Sequence, residues 1–277
     1  KSQIIIIRSS IFPGVIDQVC NILKGKNRNI VYCPERIVQG KSIEELPKLP
    51  QIIAGYNQQS IIATKNLFKK ITSKIIITSV LEAELIKLFS NANRYINFSI
   101  ANEFYMICKE NNLEFSRVRK IMRDGYERNL NLPIAGFAAG PCLLKDTMQL
   151  SSFYKNKFSL GHTAMHINEN IPRFLVDDLK KKYNLKKKVI GVLGLTFKAE
   201  TDDIRDSLSI KLLQYLKKLK IKTLQSDEYY KNKNNISKEN LVKSSDIIII
   251  AAPHKVYKKI KFPKNKIVVD IWGSKNI

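Results

Sequence analysis

Val189-Ile-Gly-Val-Leu-Gly-Leu-Thr-Phe-Lys198 is the stretch that decides the fold, because it has the pattern of a buried strand followed by a turn. A short, almost continuous apolar run is typical of a strand in a parallel sheet that is covered on both faces. Gly191 and Gly194 permit a close approach of the backbone around the turn. Their spacing is not the Gly-x-Gly-x-x-Gly pattern of a dinucleotide site, so these glycines alone identify no ligand.

The sequence after this strand alternates between helical and strand patterns. Residues 207–220 have the periodicity of a helix, and residues 221–227, 246–252 and 267–271 have the patterns of strands. Such alternation predicts an α/β, doubly wound domain. Lys198 and Arg205 follow the first strand, so they fall at its carboxyl end, where open parallel sheets bind ligands.

A second segment, Gly136-Phe-Ala-Ala-Gly-Pro-Cys-Leu-Leu-Lys-Asp146, puts a cysteine on a loop directly ahead of a lysine and an aspartate. Small residues before Cys142 remove bulk that would block a substrate, and Pro141 restrains the backbone. Cys142 is therefore a candidate nucleophile. The alternative is that Cys142 is a small buried hydrophobe, as most free cysteines are.

A helical pattern upstream carries Lys87 and Asn91 one turn apart. We predict its buried stripe from apolar residues at helical spacing, namely Leu85, Leu88, Phe89, Ala92, Tyr95, Ile96 and Ile100. Lys87 and Asn91 would lie beside that stripe on a shared edge. Such a lysine is either a solvated flank or a cation held against a cleft, where it would stabilise a developing alkoxide.

These segments resemble motifs of the UDP-glucose/GDP-mannose dehydrogenase family, the nucleotide-sugar 6-dehydrogenases, over essentially the whole chain. The matching stretches, in the family's order, are Arg8-Ser-Ser-Ile-Phe-Pro-Gly14, Cys33-Pro-Glu-Arg-Ile-Val-Gln-Gly40, Glu84 to Asn91, Gly136 to Asp146, and Gly191 to Lys198 leading into Asp202-Asp-Ile-Arg-Asp-Ser207. The resemblance implies two Rossmann-like doubly wound domains, the first one incomplete here, joined by a helical dimerisation region. Residues 1–78 would be the remainder of an NAD-binding domain, residues 79–178 a central helical dimerisation and catalytic region, and residues 179–277 a UDP-sugar-binding domain.

The reaction that the resemblance implies is NAD-dependent oxidation of the C6 hydroxyl of a UDP-sugar to the uronic acid. Two NAD molecules are reduced and the aldehyde is not released. Cys142 would trap the aldehyde as a thiohemiacetal, which is oxidised to a thioester that water hydrolyses. Lys87 would neutralise the oxyanion, Asn91 would position the substrate oxygen, and Asp146, alone or with Lys87, would manage the proton of the attacking water.

Further site residues are also assigned by the resemblance. Glu35 would lie near the reacting sugar and organise water; its alternative is a turn carboxylate beside Arg36. The substrate-binding candidates are Glu35, Lys87, Asn91, Arg128, Gly136, Phe137, Phe197 and Lys198, and the cofactor-binding candidates are Ser9, Ser10, Ile11 and Arg205. The alternative for Lys198 is that it is an ordinary surface lysine. Arg128 would reach into a neighbouring subunit of a homodimer.

The front of the chain departs from the family pattern. It opens on Lys1-Ser-Gln-Ile-Ile-Ile-Ile-Arg8 without a dinucleotide fingerprint, whereas family members begin much earlier. We therefore expect this chain to bind NAD poorly or not at all, and the full gene product to carry the missing strand, glycine turn and helix. Two alternatives stay open: a two-electron hydroxyacid dehydrogenase of related fold, which has no use for a thiol, and a catalytically incomplete fragment that dimerises and binds nucleotide.

Charge and composition limit the other classes of function. The formal net charge of +24 suggests nucleic-acid binding. The excess is mostly lysine, however, with little arginine or interleaved aromatic residues for base readout, so we predict no nucleic-acid partner.

The four cysteines lie far apart with no Cys-x-x-Cys pair, which predicts no zinc site and no disulfide and fits a reducing cytoplasm. The three histidines do not cluster with carboxylates in the sequence, so we predict structural roles and no metal site. The apolar runs are shorter than the roughly 20 residues that span a bilayer, so no membrane partner is expected.

The identity of the sugar stays open between UDP-glucose, UDP-N-acetylglucosamine and UDP-N-acetylmannosamine. The stretches Pro34-Glu-Arg-Ile-Val-Gln-Gly40 and Asn168-Glu-Asn-Ile-Pro172 lean toward the branch of the family that acts on acetamido sugars. Trp272 occupies a stretch where relatives often place a substrate arginine.

Overall fold

The computed structural model describes residues 3–23 and 29–274. Contacts between residues divide the chain into two compact units, Lys1–Asn93 with Lys145–Phe158 and Arg94–Leu144 with Ser159–Ile277. Each unit contains a four-stranded sheet and its own helices, so the predicted α/β class is confirmed. The boundaries predicted at residues 78 and 178 stay a prediction.

The sheet of the first unit is mixed. Its strands follow the order β1-β2-β3-β4, in which β1 and β2 are parallel, β2 and β3 are antiparallel, and β3 and β4 are parallel. The elements of this unit are β1 (Ile5–Ile7), α1 (Val15–Ile22), β2 (Ile30–Tyr32), α2 (Ser42–Glu45), β3 (Gln51–Gly55), α3 (Gln58–Phe68) and β4 (Ile75–Thr78). Between β2 and β3 the chain forms only the four-residue helix α2, whereas a parallel connection usually needs a longer crossover helix.

The second unit has the predicted doubly wound sheet. Its strands follow the order β6-β5-β7-β8, and every neighbouring pair is parallel. The strands are β5 (Val189–Leu193), β6 (Lys222–Ser226), β7 (Ile247–Ile250) and β8 (Ile267–Asp270), and the helices near them are α7 (Ser159–Lys182), α8 (Leu208–Lys218) and α9 (Lys238–Ser244). Each strand lies within one or two residues of its predicted position. Gly191 lets α9 pack closely on β5, because a Cβ there would lie 2.4 Å from Leu241 Cδ2 on α9.

Helix α4 (Val80–Glu110) is the longest in the structure, and its buried face differs from the predicted stripe. Leu88, Ala92 and Tyr95 are buried as expected, but Phe89 is 53% exposed and Ile100 is 39% exposed, so the prediction was wrong for these two. Buried polar side chains replace them, and Asn91 lies within the buried face instead of beside it. Neither α4 nor another helix in residues 3–23 and 29–274 is long and apolar enough to cross a bilayer.

Candidate active site

Asp146 is a buried carboxylate of the first unit that accepts a hydrogen bond on one of its two oxygens. It lies in the first turn of α6 (Leu143–Phe153), and its side chain is fully buried. Its Oδ2 accepts a hydrogen bond of 2.5 Å from Asn91 Nδ2. Its Oδ1 lies 3.3 Å from Lys145 Nζ, but no hydrogen-bond donor reaches it among the described residues. The carboxylate therefore keeps an oxygen with unused hydrogen-bonding capacity.

Lys87 and Asn91 are presented by neighbouring turns of α4. Residues four apart on a helix share a face. Asn91 is 6% exposed and Lys87 is half-buried, and the role of Lys87 as a cation held against a cleft stays a prediction. The structure thus brings Asn91 together with Asp146, and the catalytic roles that the family resemblance implies for them stay a prediction.

The Ser9–Ile11 segment follows β1 and accepts a hydrogen bond from a buried tyrosine. The hydroxyl of buried Tyr32 donates a hydrogen bond of 3.3 Å to the carbonyl oxygen of Ser9. Burial raises the pKa of Tyr32, and the charges of Glu84 and Asp146 raise it further, so the hydroxyl keeps its proton. Ser9 is exposed, and Ser10 and Ile11 are half-buried.

Glu84 is a buried carboxylate that sequence reasoning left without a role. Its oxygens accept hydrogen bonds from the backbone N–H groups of Gly14, at 2.6 Å, and Ile16, at 3.1 Å. These N–H groups lie at the N-terminus of α1 and have no partner within the helix, so a carboxylate is a suitable acceptor for them. The available signal was an acidic residue on the same helix as Lys87, one turn before it and among apolar neighbours.

Glu35 makes the local contacts of a turn carboxylate and also an ion pair. Its Oε1 accepts from the backbone N–H groups of Arg36, at 2.8 Å, and Ile37, at 2.9 Å. Its Oε2 pairs with Arg8, whose guanidinium lies 5.0 Å from the centre of the Phe68 ring. The predicted role of Glu35 beside the sugar stays a prediction.

The cysteine loop of the second unit is anchored by buried amides. Asn102 Oδ1 accepts a hydrogen bond of 2.8 Å from the N–H of Gly136, and Asn102 Nδ2 donates to Asn168 Oδ1 at 2.8 Å. Asn168 Nδ2 in turn donates to the carbonyl oxygen of Tyr95 at 3.0 Å. Buried polar groups need such partners. Neither asparagine was predicted to support the loop, although an amide on an otherwise apolar helix face is a signal for it.

Two aromatic rings lie against the glycines of this loop. A Cβ on Gly136 would come within 2.3 Å of the Trp272 ring, and a Cβ on Gly140 within 2.4 Å of the Phe197 ring. Trp272 Nε1 donates a hydrogen bond of 3.0 Å to the carbonyl oxygen of Ala251. Trp272 therefore packs against the loop at Gly136. Phe137 is 2% exposed in the core, and its predicted substrate contact stays a prediction.

Cys142 differs from the other thiols in its exposure. Burial raises the pKa of the Cys33 thiol to about 12, and burial also raises the pKa of Cys108, with Glu114 adding to the effect. Both thiols are therefore poor nucleophiles. Cys142 is exposed in the turn before α6, so the predicted presentation is confirmed and the alternative of a buried hydrophobe is wrong.

Lys198 and Arg205 lie on the segment that follows β5. Lys198 is half-buried, and Arg205 is exposed but bound to Asp203, with Nε 3.0 Å from Oδ1 and Nη2 2.6 Å from Oδ2. The hydrogen bonds that Arg205 donates to Asp203 raise the pKa of Arg205. Arg128 is exposed, with its guanidinium 5.7 Å from the centre of the Tyr126 ring.

One histidine corrects the prediction that no histidine clusters with carboxylates. His254 is fully buried, with Nε2 3.3 Å from Asp227 Oδ2 and Nδ1 3.8 Å from Glu200 Oε1. The three residues are far apart in the sequence, but they follow β7, β6 and β5, whose carboxyl ends lie at one edge of the parallel sheet. Convergence at that edge is a property of the topology and is invisible to local spacing.

A basic cavity of about 840 Å³ also lies within the second unit. Helix α5 (Phe115–Arg123) supplies four cations to its wall, namely Arg117, Arg119, Lys120 and Arg123. The wall also includes the aromatic residues Tyr105 and Trp272. Arg119 Nε donates to the carbonyl oxygens of Leu132, at 2.9 Å, and Pro133, at 2.8 Å. The cavity thus borders the stretch that enters the cysteine loop, and it was not predicted from the sequence.

The architecture is that of solved nucleotide-sugar dehydrogenases. The structure of UDP-D-ManNAc dehydrogenase from Pyrococcus horikoshii superposes with a TM-score of 0.88 at 25% sequence identity, covering 100% of this chain and 74% of that one. The structure of UDP-N-acetyl-mannosamine dehydrogenase from S. aureus gives a TM-score of 0.82 at 25% identity, covering 100% and 73%. The fold is therefore that of an α/β oxidoreductase of this type.

The chain belongs to the UDP-glucose/GDP-mannose dehydrogenase family. The family's central domain matches residues 81–170, and its UDP binding domain matches residues 191–275. The UDP-N-acetyl-D-mannosamine dehydrogenase of Pyrococcus horikoshii is 28% identical, over 98% of this chain and 69% of the relative. The NDP-N-acetyl-D-galactosaminuronic acid dehydrogenase of Ralstonia nicotianae is 26% identical, over 90% of this chain and 62% of the relative.

Proposed function

We propose that the protein containing this chain oxidises the C6 hydroxyl of a UDP-sugar to the uronic acid in two NAD-dependent steps, through a covalent intermediate on Cys142. Such acids are precursors for polysaccharide synthesis. The observation that carries the proposal is the exposed thiol at the end of a loop of small residues, in a family of nucleotide-sugar dehydrogenases. A simple two-electron alcohol oxidation would have no use for that thiol.

The basic cavity supports a substrate with phosphate groups. Four cations contribute to its wall against two acids, Glu114 and Asp124, so its field favours an anion. Tyr105 also lines it, and the buried hydroxyl of Tyr105 has no hydrogen-bond partner among the described residues. We place the nucleotide end of the substrate here, with the sugar directed along the loop from Gly136 to Cys142. Lys198, which follows β5 at the carboxyl edge of the parallel sheet, is the proposed further contact to the substrate.

Cys142 supplies the covalent chemistry in this proposal. Its thiolate adds to the C6 aldehyde, and the resulting thiohemiacetal is oxidised to a thioester that water cleaves to the carboxylate. Asp146 takes the proton from the attacking water through its oxygen Oδ1, which no hydrogen-bond donor occupies among the described residues. Lys87 stabilises the negative charge of the tetrahedral stages, and Asn91 orients both Asp146 and the substrate oxygen.

NAD would act as the hydride acceptor in both oxidations. The Ser9–Ile11 segment fits one wall of a nicotinamide site, because it offers small hydroxyl groups and an apolar side chain after a strand. The N-terminus of α1 does not fit the pyrophosphate, because its N–H groups at Gly14 and Ile16 are bound to the carboxylate of Glu84. Arg205 would add a cation to the cofactor side, although its guanidinium is already paired with Asp203.

A homodimer through the central helices is part of the proposal. The exposed side of α4 carries Ile100 (39% exposed), Phe104 (37%) and Ile107 (53%), which follow one another at helical spacing. Contiguous exposed apolar side chains of this kind mark interfaces more often than free surface. Changing Phe104→Glu should convert a dimer to a monomer in light scattering. A wild-type monomer at micromolar concentration would contradict this part of the proposal.

The experiment that tests the function is an assay of the complete gene product with a panel of UDP-sugars. UDP-glucose, UDP-N-acetylglucosamine and UDP-N-acetylmannosamine are each supplied with NAD, and both NADH and the sugar acid are counted. Two NADH for each acid formed supports the four-electron reaction and names the sugar. One NADH per substrate with no acid would favour the simpler dehydrogenase and sink the proposal.

A further inference from the structure

We propose that His254 is a positioning residue that fixes the segment 195–200, and through it Phe197 and Lys198, for binding of the UDP-sugar. The inference rests on the proposed function, in which Lys198 contacts the substrate and Phe197 lies against the cysteine loop. His254 itself would touch neither substrate nor cofactor.

Hydrogen bonds hold the segment at both of its ends. At the beginning, the N–H groups of Leu195 and Thr196 donate to Asp227 Oδ2, at 2.6 and 3.3 Å. At the other end, the N–H of Glu200 donates to His254 Nδ1 at 3.0 Å. His254 Nε2 lies 3.3 Å from the same oxygen of Asp227. The His254–Asp227 pair therefore links the two ends of the segment across one buried ring.

These contacts define the protonation of His254. Because Nδ1 accepts from the Glu200 N–H, it carries no proton, and the hydrogen of the neutral ring lies on Nε2. Nε2 then faces two acceptors, Asp227 Oδ2 and Thr196 Oγ1, the latter at 3.4 Å. The Thr196 hydroxyl hydrogen is itself donated to the carbonyl oxygen of Lys198 at 2.8 Å, so its oxygen can accept. The chain of bonds from His254 thus ends on the backbone of Lys198.

Hydrogen bonds already made at both ring nitrogens separate this role from acid–base catalysis. His254 is fully buried, and the rings of Tyr229 and Tyr257 lie against it, with centroids 5.0 and 5.2 Å away. The side chain of Glu200 lies beside the ring, with Oε1 3.8 Å from Nδ1, and its oxygens accept from the Lys255 N–H at 2.9 Å and from the Tyr229 hydroxyl at 2.8 Å. Both ring nitrogens are engaged by protein atoms, so His254 acts through the segment that it holds.

The test combines UDP binding with amide hydrogen exchange on this chain. UDP affinity is measured by calorimetry for wild type, His254→Ala, His254→Asn and His254→Gln, with His166→Ala at an exposed site of α7 as the matched control. The asparagine oxygen lies near the position of Nδ1 and can still accept from Glu200, whereas glutamine extends toward the position of Nε2 instead. Exchange of the amides of residues 195–200 is followed in each variant without ligand.

The proposal predicts that His254→Ala and His254→Gln bind UDP at least about fivefold more weakly and exchange the Glu200 amide faster, because one buried hydrogen bond is lost. His254→Asn should retain most of both properties, and His166→Ala should match wild type. Unchanged exchange and affinity in His254→Gln would overturn the proposal, including in the case where His254→Ala does not fold. If wild type binds no UDP, the substrate assignment fails, while the exchange data alone still decide whether His254 fixes the segment.

Discussion

Asp146 and Asp227 are both carboxylates with fully buried side chains, one in each unit, but their surroundings differ. Asp146 accepts one short hydrogen bond from Asn91, and its other oxygen pairs with the Lys145 ammonium at 3.3 Å but accepts no hydrogen bond among the described residues. Asp227 accepts on both oxygens, with Oδ1 bound by the N–H groups of Tyr229 and Tyr230, each at 2.8 Å. Its Oδ2 accepts from Leu195 and Thr196 and faces His254.

Asp146 is the carboxylate proposed to react, whereas the oxygens of Asp227 are all held by protein donors. A buried carboxylate with unused acceptor capacity costs folding free energy, which is typical of residues kept for chemistry. A carboxylate with every lone pair engaged contributes to stability instead. Asp146 and Asp227 should therefore respond in opposite ways to the same substitution, with turnover lost at one and stability lost at the other.

The largest effect is expected for Asp146→Asn in the complete gene product. The change removes the proton acceptor but preserves the size of the side chain, so formation of the sugar acid should slow by roughly 10²- to 10⁴-fold. The melting temperature should stay near the wild-type value. Rates of acid formation and thermal unfolding are measured together. Wild-type turnover in this variant would remove Asp146 from the mechanism.

Asp227→Asn should show the converse pattern. The side-chain nitrogen of the new asparagine would face N–H groups that donate to the carboxylate in wild type. We expect a loss of about 3 kcal/mol in the free energy of unfolding. The exposed Asp202→Asn is the matched control. A stable Asp227→Asn protein, as judged by denaturant unfolding, would show that the network around Asp227 contributes little.

The same residue gives a pH dependence with a defined sign. Burial would raise the pKa of Asp227, but hydrogen bonds from His254 and from the backbone of Leu195, Tyr230 and Tyr229 outweigh it and hold the pKa below the ordinary value of 3.8. Asp227 thus stabilises the fold above pH 3.8, and the contribution is lost as the pH falls through the lower, folded pKa. In acid titrations of unfolding, Asp227→Asn should lack this component. Parallel curves for the variant and wild type would contradict the assignment.

A smaller effect is expected where the loop meets Trp272. Gly136→Ala places a methyl group into the indole ring, which should cost about 1–3 kcal/mol of stability and weaken UDP binding. Trp272→Leu makes room for that methyl group, so the double variant should lose less than the sum of the two single changes. Additive losses in denaturant unfolding would show that the two residues do not compete for this space.

The smallest effect concerns the cations of the basic cavity. Lys120→Gln should weaken UDP binding about two- to fivefold at low ionic strength, and the difference should shrink as salt is added, because an exposed charge is screened. Lys181→Gln, at the exposed end of α7, is the control and should bind as wild type does. Equal affinities for Lys120→Gln and wild type in low salt would argue against this cavity as the nucleotide site.

Features set by local pattern were predictable from the sequence. The four parallel strands of the second sheet were found from short apolar runs, and the exposure of Cys142 from the small residues before it. The buried polar pairs were not. Asn102 and Asn168 lie 66 residues apart, and His254 and Asp227 lie 27 apart, so their partners depend on topology. Periodicity also treats polar residues as exposed, which is why Phe89 was assigned to the buried face of α4 while Asn91 was placed at its edge.

The most direct measurement of the central claim is the product formed by Cys142→Ala in the complete gene product, with Cys20→Ala as the control thiol. Wild type and the control should convert the UDP-sugar that is the substrate to its acid, with two NADH for each molecule of acid. Our account predicts that Cys142→Ala forms no acid, because no thioester can be made, and that oxidation stops at the aldehyde level. Formation of the acid with two NADH by Cys142→Ala would contradict the covalent mechanism.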